Sequence, residues 1–482
     1  NWGWATDYGN SFNVGSGHIM YSKLHETKKN IGANLEYPFI IEGNRQSIKT
    51  GYSGAFRRAD FEQQYLKAMK GKIDNSINSL PIEEFYASEH FGGNPLIYEL
   101  SGMQGTKADY YEGKQDIHSG YLMGDFSLLK KIRLIGGVRM ERNNMEVTTE
   151  MLEKTIGGGI IDSTTTIKKT DWLPAATLIY SITPELNARF SYSKTLARPD
   201  FRELSQSSYY NVDDRVWVIN GSNLEQSRIN NYDIRVEWYP RSGEVISVSY
   251  FQKKFIKPVE MVMRMLSDMQ NFEMYSMNLD NSTARGFEFN WRKELVFISP
   301  LLHDLYFTGN YTWMKANVKY NQEKLLNPNI EDSNPDFDRN RPLQGLSPYT
   351  FNLGIAYEGS IIGAAANYNR NGRKLVYAGE ETKYDQYENS RDVLDLQLSA
   401  RLMKDQRLEL KFNISDIFNQ DIIVYRNTRV VDYTTENPNP ETGKPGTTYL
   451  DLTKDMNYNK GDYVMNRIKK GINISINASY KF

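Results

Sequence analysis

The chain has 482 residues, of which 39% are hydrophobic and 13% aromatic, and its 33 tyrosines outnumber phenylalanine and tryptophan together. The sequence contains no run of about 18 apolar residues, which excludes transmembrane helices. The 58 basic and 59 acidic residues nearly cancel, and no basic stripe indicates nucleic-acid binding. Cysteine is absent, which excludes disulfides and a thiol nucleophile and suits an exported bacterial protein.

Apolar and polar residues alternate along most of the chain, and this period of two predicts strands with one apolar and one polar face. The pattern is uninterrupted in residues 472–482, which end on Phe482. In chain order, the predicted strands cover residues 30–41, 46–62, 116–129, 131–148, 164–182, 184–199, 230–240, 243–263, 273–295, 303–320, 342–358, 360–376, 390–403, 406–427 and 464–482.

The connections between these strands alternate between short and long. The short ones lie at residues 42–45, 130, 183, 241–242, 296–302, 359 and 404–405. The long ones lie at residues 63–115, 149–163, 200–229, 264–272, 321–341, 377–389 and 428–463. Bacterial outer-membrane barrels have short periplasmic turns and longer extracellular loops. We therefore predict an all-β fold, a transmembrane antiparallel β-barrel of the outer membrane, in contact with its lipids.

Residues 1–482 are predicted to form a single barrel domain. Residues 30–482 hold about fifteen strands, or sixteen if residues 12–24 form one more, whereas single-chain bacterial barrels close with even numbers. Residues 1–29 are expected to form an extracellular loop that includes the end of an earlier strand. The odd number leads us to expect further strands upstream of residue 1. The sequence shows no signal peptide, although a barrel must be exported, so residue 1 is not expected to be the start of the gene product.

Several motifs resemble those of the TonB-dependent receptor family. Residues 192–204, YSKTLARPDFREL, are similar to the family stretch S-x-T-x-A-R-P-x-F-x-x-L. Residues 221–227, GSNLEQS, resemble G-N-P-x-L-x-P-E but lack both prolines. Further resemblances are GVRME at 137–141, NYDIRVEWY at 231–239, NRPLQGLSPY at 340–349 and NISDIFN at 413–419.

The resemblance implies a receptor whose outer loops bind a scarce nutrient such as a siderophore, cobalamin, an oligosaccharide or a peptide. Barrels of this family have 22 strands around an N-terminal plug. Nothing in this sequence resembles a plug, so the chain would be the C-terminal part of such a barrel, in the style of Bacteroidota members. The TonB–ExbB–ExbD system would act through that missing plug, and a surface lipoprotein is a possible partner.

Exposed aromatic residues in the long loops are the candidate ligand-binding residues. They are Tyr209, Tyr210, Trp217, Tyr377, Tyr384 and Tyr387. Such rings stack on a sugar or a cyclic cofactor, or else they pack the loops together or belong to the aromatic girdle at the lipid interface. The residues Arg198 and Asp200 are expected at the outer end of a strand, paired within the barrel wall or lumen.

Sequence motifs for chemistry are absent. The five histidines have no metal-ligand spacing, and neither G-x-S-x-G nor H-E-x-x-H occurs, so we predict no enzymatic activity and no cofactor. The acidic loop with Asp332, Asn334, Asp336 and Asp338 imitates the start of a calcium site. It lacks the required glycine and a bidentate glutamate, so a solvated acidic loop is the competing interpretation.

Two other functions remain open from the sequence. One is a passive, porin-like barrel of about sixteen strands. The other is a barrel that serves as a structural subunit of an outer-membrane complex. An upstream plug with a TonB box favours the transporter, steady conductance favours the porin, and stable partners without substrate dependence favour the structural subunit.

Overall fold

The computed structural model describes residues 18–70, 87–90, 96–101, 109–152, 160–206, 208–211, 216–221, 223–265, 272–321, 338–380, 384–426, 428–433, 446–451 and 462–481, with single residues at 81, 84 and 458. Most of these residues lie in strands. Among them, no helix is long and apolar enough to cross a membrane.

The first fourteen strands are β1 (His18–Ile41), β2 (Asn44–Lys70), β3 (Leu96–Ser101), β4 (Asp109–Leu129), β5 (Ile132–Leu152), β6 (Ile160–Ser181), β7 (Leu186–Ala197), β8 (Ser208–Asn211), β9 (Val216–Ile219), β10 (Ser227–Trp238), β11 (Val245–Ile256), β12 (Val259–Met265), β13 (Phe272–Asn278) and β14 (Ser282–Glu294). The others are β15 (Leu305–Asn321), β16 (Asp338–Arg341), β17 (Tyr349–Glu358), β18 (Ile362–Asn371), β19 (Lys374–Gly379), β20 (Gln386–Glu388), β21 (Arg391–Leu402), β22 (Leu408–Ser415), β23 (Ile422–Arg426), β24 (Thr428–Tyr433), β25 (Gly446–Asp451), β26 (Tyr463–Ile468) and β27 (Asn473–Tyr480). One helical turn, α1, covers Phe201–Leu204, and 3-10 turns lie at Ser88–His90, Leu295–Phe297, Pro300–Leu302 and Lys404–Gln406.

Fifteen of these strands form the main sheet, in which each strand pairs antiparallel with the next. Their order is β1-β2-β4-β5-β6-β7-β10-β11-β14-β15-β17-β18-β21-β22-β27. The short strands β3 and β16 add to the ends of β2 and β15. The predicted antiparallel barrel wall of about fifteen strands is confirmed.

Short turns join the strands of the main sheet at one end, and the long connections lie at the other. The β1–β2 turn shows the local cause. Glu42 and Gly43 have φ angles of 50° and 77°, the combination of a type I′ turn, whose twist matches a right-twisted hairpin. The other tight turns span residues 130–131, 182–185, 239–244, 359–361 and 403–407.

Five predicted strands were too long, because each is interrupted in the structure. The affected ranges are 243–263, 273–295, 360–376, 406–427 and 464–482, and each divides into a main-sheet strand and a strand of a second sheet. The chain leaves the ladder at Lys257 (φ 53°), just before Pro258, and at Asp416 (φ 57°) and Asn419 (φ 46°). The predicted strands ran through these breaks because further apolar residues follow each of them.

The N-terminal boundary also differs from the expectation. Strand β1 begins at His18 and pairs with β2 from its first residue, so residues 18–29 belong to a main-sheet strand and not to a loop. Residues 18–24 therefore extend β1 and do not form a separate strand. The long connections at 63–115, 200–229 and 428–463 contain the end of β2 and the short strands β3, β8, β9, β24 and β25.

One face of the main sheet is polar and carries networks of ion pairs. Glu237 accepts hydrogen bonds from Arg189 (2.6 Å) and Arg235 (2.7 Å), and Glu141 pairs with Arg139 (2.7 Å) and with Arg198 (2.9 Å). The pairing expected for Arg198 is thus present. Carboxylates satisfied by two guanidinium groups suit the interior of a barrel, where charges are partly removed from water.

The opposite face is apolar and exposed. Val236 lies opposite Val248, which lies opposite Phe289, which lies opposite Tyr311, and all four side chains are at least 40% exposed. A contiguous apolar surface of this size is unstable in water but is what a lipid-facing barrel wall requires.

The largest core cluster lies on the polar face, where α1 docks. Phe201 and Leu204 are 0% and 1% exposed and pack against Phe61, Met145 and Val147 of the main sheet. Asp200 begins the helix with a capping box, in which the Glu203 carboxylate accepts from the Asp200 backbone N–H at 2.7 Å. Residues from the A-R-P-x-F-x-x-L motif therefore have a structural role, because they fix a long connection to the wall.

Candidate ligand-binding site

A second sheet of eight strands is built from four long connections. Its order is β8-β9-β13-β12-β19-β20-β23-β26. These strands come from the connections β7–β10, β11–β14, β18–β21 and β22–β27. A two-stranded hairpin is only marginally stable alone. Pairing between neighbouring connections therefore stabilises the short strands of each connection.

The side chain of Asn278 ties two of these connections together. Its Nδ2 donates to the backbone carbonyls of Glu225 and Lys257, both at 2.9 Å, and its Oδ1 accepts from the Glu225 backbone N–H at 2.7 Å. Lys257 is the residue at which β11 ends and the chain turns into the second sheet. Asn278 therefore satisfies the backbone groups that this break releases from the ladder.

One side of the second sheet packs on the end of β15. Val262 from β12 is fully buried against Val318 and Tyr320 of β15. Next to this contact, Arg341 and Glu260 form an ion pair of 2.6 Å in which both side chains are almost completely buried. The second sheet is thus fixed to the barrel wall by apolar packing and by a buried charge pair.

All six predicted aromatic residues belong to the second sheet or its immediate flank. Tyr209 and Tyr210 lie in β8, opposite Val218 and Trp217 of β9 in the register of the ladder. Tyr377 lies in β19, Tyr387 in β20, and Tyr384 two residues before β20. The structure therefore brings together residues that are separated by up to 178 positions in the sequence, 387 minus 209. Their role in ligand binding stays a prediction.

These aromatic residues differ in burial. Tyr387 and Tyr384 are 3% and 8% exposed, whereas Trp217 and Tyr377 are half-buried. Tyr387 packs beside Tyr425 at 6.3 Å between ring centroids, and burial raises the pKa of its phenol, which therefore stays neutral. Trp217 and Tyr377 retain surface for a ligand, while Tyr384 and Tyr387 serve to pack the connections.

A buried guanidinium, Arg426, was not found from the sequence. It is 8% exposed, lies 4.3 Å from the ring centroid of Phe272 and 5.8 Å from that of Tyr384, and its Nε has no hydrogen-bond partner among the described residues. Burial lowers its pKa, although an arginine remains charged. Residues 406–427 were predicted to form one wall strand, so no signal in the sequence indicated that this residue leaves the wall.

A cavity of about 230 Å³ separates β15 from the segment 342–348. Arg341 and Arg373 are among the residues that line it; Arg341 is already paired with Glu260, and Arg373 lies 5.2 Å from the ring centroid of Tyr387. Arg426 and this cavity both belong to the region of the second sheet, which also holds the buried carboxylates Glu380 and Asp385.

The predicted calcium loop is mostly outside the described residues. Asp332, Asn334 and Asp336 lie there, and Asp338 is the first residue of β16. In the part of the chain that the structure describes, no three acidic or histidine side chains are placed to hold a metal ion. Calcium binding by this loop stays a prediction.

Taken together, these features define a class of protein: an outer-membrane β-barrel whose long connections form a second, structured sheet. Residues 1–417 match the family described as TonB dependent receptor-like, beta-barrel. The chain belongs to this family of outer-membrane receptors and transporters, as its motifs indicated.

Solved structures agree on the fold. The ferric-catecholate import receptor Fiu of E. coli K12 has a TM-score of 0.52 at 15% identity, with 83% of this chain and 52% of that chain covered. The ferric citrate transporter FecA has a TM-score of 0.57 at 12% identity, with 96% of this chain and 56% of that chain covered. The pyoverdine receptor FpvA of Pseudomonas aeruginosa PAO1 has a TM-score of 0.55 at 12% identity, with 97% of this chain and 55% of that chain covered. The chain spans about half the length of these structures. No curated protein sequence matches it.

Proposed function

We propose that this chain is the barrel part of a TonB-dependent transporter that takes up a scarce nutrient, and that its second sheet is the surface that binds the nutrient. The observation that carries this proposal is the gathering of four long connections, with the six predicted aromatic residues, into one sheet at one end of the barrel wall. A preorganised sheet binds more tightly than free loops, because less conformational entropy is lost on binding.

The ligand that fits this surface has a ring or sugar face and a negative charge. Trp217 and Tyr377 supply half-exposed aromatic faces, and Arg426 supplies a guanidinium group whose Nε has no hydrogen-bond partner among the described residues. A siderophore, cobalamin, an oligosaccharide and a peptide are the candidate classes, and the charge favours those with an anionic group. Binding and gating constitute the mechanism, without an enzymatic step.

The energised step belongs to parts outside this sequence. In the proposed protein, the long connections face the cell exterior, the barrel has 22 strands around a plug, and TonB–ExbB–ExbD acts on that plug. A surface lipoprotein is a possible partner that covers the second sheet. The similar structures are receptors or transporters for ferric catecholate, ferric citrate and pyoverdine, so ferric complexes are the first ligands to test.

The decisive measurement is ligand binding by the full-length protein purified in detergent. We would titrate a ferric catecholate, ferric citrate, cyanocobalamin, a maltooligosaccharide and an oligopeptide, and then compare Trp217→Ala with Trp238→Ala. Trp238 is an exposed tryptophan of the apolar face near the short turns and serves as the matched control. Loss of a stacked ring at Trp217 should cost about 1 kcal/mol, a factor of five in Kd.

Three further results separate the transporter from its alternatives. Uptake that a protonophore abolishes supports the energised transporter. Steady conductance in planar bilayers, with no ligand bound by the second sheet, supports a passive porin. Stable co-purification with other outer-membrane proteins, at equal yield with and without substrate, supports a structural subunit. Equal Kd values for the two tryptophan variants would contradict the assignment of the binding surface.

A further inference from the structure

The apolar face of the main sheet carries basic residues on the side of the long connections. On several strands, a cation follows a large apolar side chain by two or four positions in that direction, and on β7 and β11 one more apolar residue, Leu196 or Ile256, follows the cation. The pairs are Met140 and Arg142, Trp172 and Lys168, Tyr192 and Lys194, Tyr250 and Lys254, Phe287 and Arg285, and Trp313 and Lys315. We name these six basic residues the cationic collar.

Members of the collar lie close to one another across the strands. Arg285 of β14 is directly opposite Lys315 of β15. Lys194 of β7 and Lys254 of β11 are both opposite Asn230 of β10, one on each side. Like charges in directly opposite positions destabilise a sheet, so this arrangement needs a compensating anion.

The protein itself supplies little of that compensation. Of the described residues, none places a carboxylate within 4 Å of Arg142, Lys194, Lys254, Arg285 or Lys315, and only Lys168 has such a neighbour, Glu146 at 3.6 Å. On the polar face of the same strands, by contrast, guanidinium groups are paired with carboxylates at 2.6–2.9 Å. Five of the six collar residues thus have no carboxylate partner among the described residues, in contrast to these guanidinium groups of the polar face, and Lys254 has only the Tyr232 ring, 5.8 Å away.

The collar also has recesses in which an anionic group fits. Two adjoining surface recesses share Arg142 and Asn144. Lys168 and Thr170 line one of them, and His118 lines the other together with Asp116, whose carboxylate is already paired with Arg58 at 2.8 Å. His118 is opposite Arg142 in the ladder. Guanidinium, ammonium, amide and hydroxyl donors at one place form the donor set that binds phosphate oxygens.

We propose that the cationic collar binds the phosphate groups of lipid headgroups in the leaflet next to the long connections. Aromatic side chains of a membrane barrel lie at the level of the headgroups, and the collar begins one or two outward positions beyond them. Anionic headgroups therefore lie at the same height as the unpaired cations. The choice of leaflet rests on the proposed outward orientation of the long connections.

The experiment measures binding of lipid A to the full-length protein in dodecyl maltoside by native mass spectrometry. Diphosphorylated lipid A is compared with the same lipid after enzymatic removal of its phosphates, so that only the phosphate groups differ. The test variant is the double substitution R285Q and K315Q. The control is R241Q with K404Q, which removes two exposed basic residues from the short turns and changes the net charge equally.

Each basic residue near an anionic membrane surface contributes roughly fivefold in affinity. The test variant should therefore bind phosphorylated lipid A about 25-fold more weakly than the unsubstituted protein, whereas the control should be unchanged. Heat-modifiable migration in gels verifies that both variants are folded. Unsubstituted protein should also prefer phosphorylated over dephosphorylated lipid, a comparison that needs no variant.

Three outcomes would overturn the proposal. They are equal binding of the two lipid forms, equal loss in the control variant, and complete competition by inorganic phosphate at the lipid's concentration, which would assign the collar to free phosphate. No nutrient is added in this experiment. A negative result here therefore does not contradict the proposed nutrient uptake, and a negative result for nutrient binding does not contradict lipid binding by the collar.

Discussion

Docking of α1 depends on a fit between Phe201 and Gly113 that can be perturbed from either side. A Cβ atom built on Gly113 would lie 2.4 Å from Cδ2 of the Phe201 ring, closer than any real contact. The ring is completely buried, and the Arg57 guanidinium covers it at 4.3 Å from its centroid. Truncation of a buried phenylalanine costs about 3–5 kcal/mol, so Phe201→Ala should release α1 from the wall.

Hydrogen exchange detects this release locally. The Leu204 N–H donates to the Asp200 carbonyl at 3.2 Å, and the Ser205 N–H donates to the Phe201 carbonyl at 2.9 Å. Opening that becomes easier by about 3 kcal/mol accelerates the exchange of these amides by about 100-fold or more, up to the limit set by the unprotected rate. Gly113→Ala should have a similar effect, because the added methyl group and the ring compete for one space.

The double variant makes the reasoning testable. Once the ring is gone, the methyl group at position 113 meets no obstacle, so Gly113→Ala should add little to Phe201→Ala, and the two effects should be strongly non-additive. Gly120→Ala is the control on the same strand, because the nearest atom to its Cβ would be 3.9 Å away. Additive effects, or equal effects of Gly113→Ala and Gly120→Ala, would refute the assignment of Phe201 to this pocket.

The remaining predictions concern Asn278 at the break between β11 and β12, Glu42 in the β1–β2 turn, and the buried Arg426. Asn278→Ala should destabilise the second sheet by about 1–3 kcal/mol, since it leaves backbone groups of Glu225 and Lys257 unpaired, and proteolysis of the long connections should become faster. Glu42→Asn should raise the midpoint of unfolding slightly, because asparagine tolerates a φ of 50° at the first position of a type I′ turn better than glutamate; an unchanged midpoint would contradict this. Arg426→Met should stabilise the fold by about 1–3 kcal/mol, since it removes an unpartnered buried donor, and it should weaken the binding of anionic ligands; stabilisation with undiminished binding would assign Arg426 to packing alone.

The sequence predicted the barrel wall well because lipid and lumen impose opposite requirements on successive residues. Such a constraint acts on every strand, so alternation and connection length sufficed for the order and number of main-sheet strands. The six aromatic residues in the loops were also chosen from sequence, and the structure places them in one sheet. Their sequence separation made that proximity unpredictable, since it depends on pairing between different connections.

Arg426 and Asn278 show why the remainder of the site was not predictable. Both lie in segments that were predicted as parts of wall strands, and both acquire their roles only because the chain turns out of the wall a few residues earlier or later. Two breaks have a local signal: Pro258 cannot donate to a ladder, and Gly471 adopts a φ of 81° that favours glycine. At Asp416 and Asn419 the signal is weaker, because these residue types tolerate a positive φ without requiring it.

The same properties explain how one wall can carry different receptor surfaces. Main-sheet strands are specified by a two-residue period that tolerates many sequences, whereas the second sheet depends on a few particular groups such as Asn278 and the Arg341–Glu260 pair. Substitutions in the long connections can therefore change the proposed binding surface while the ladder of the wall is retained. A ligand that contacts strands from several connections at once would also join them, so binding should reduce proteolysis in all four connections together and not in one alone.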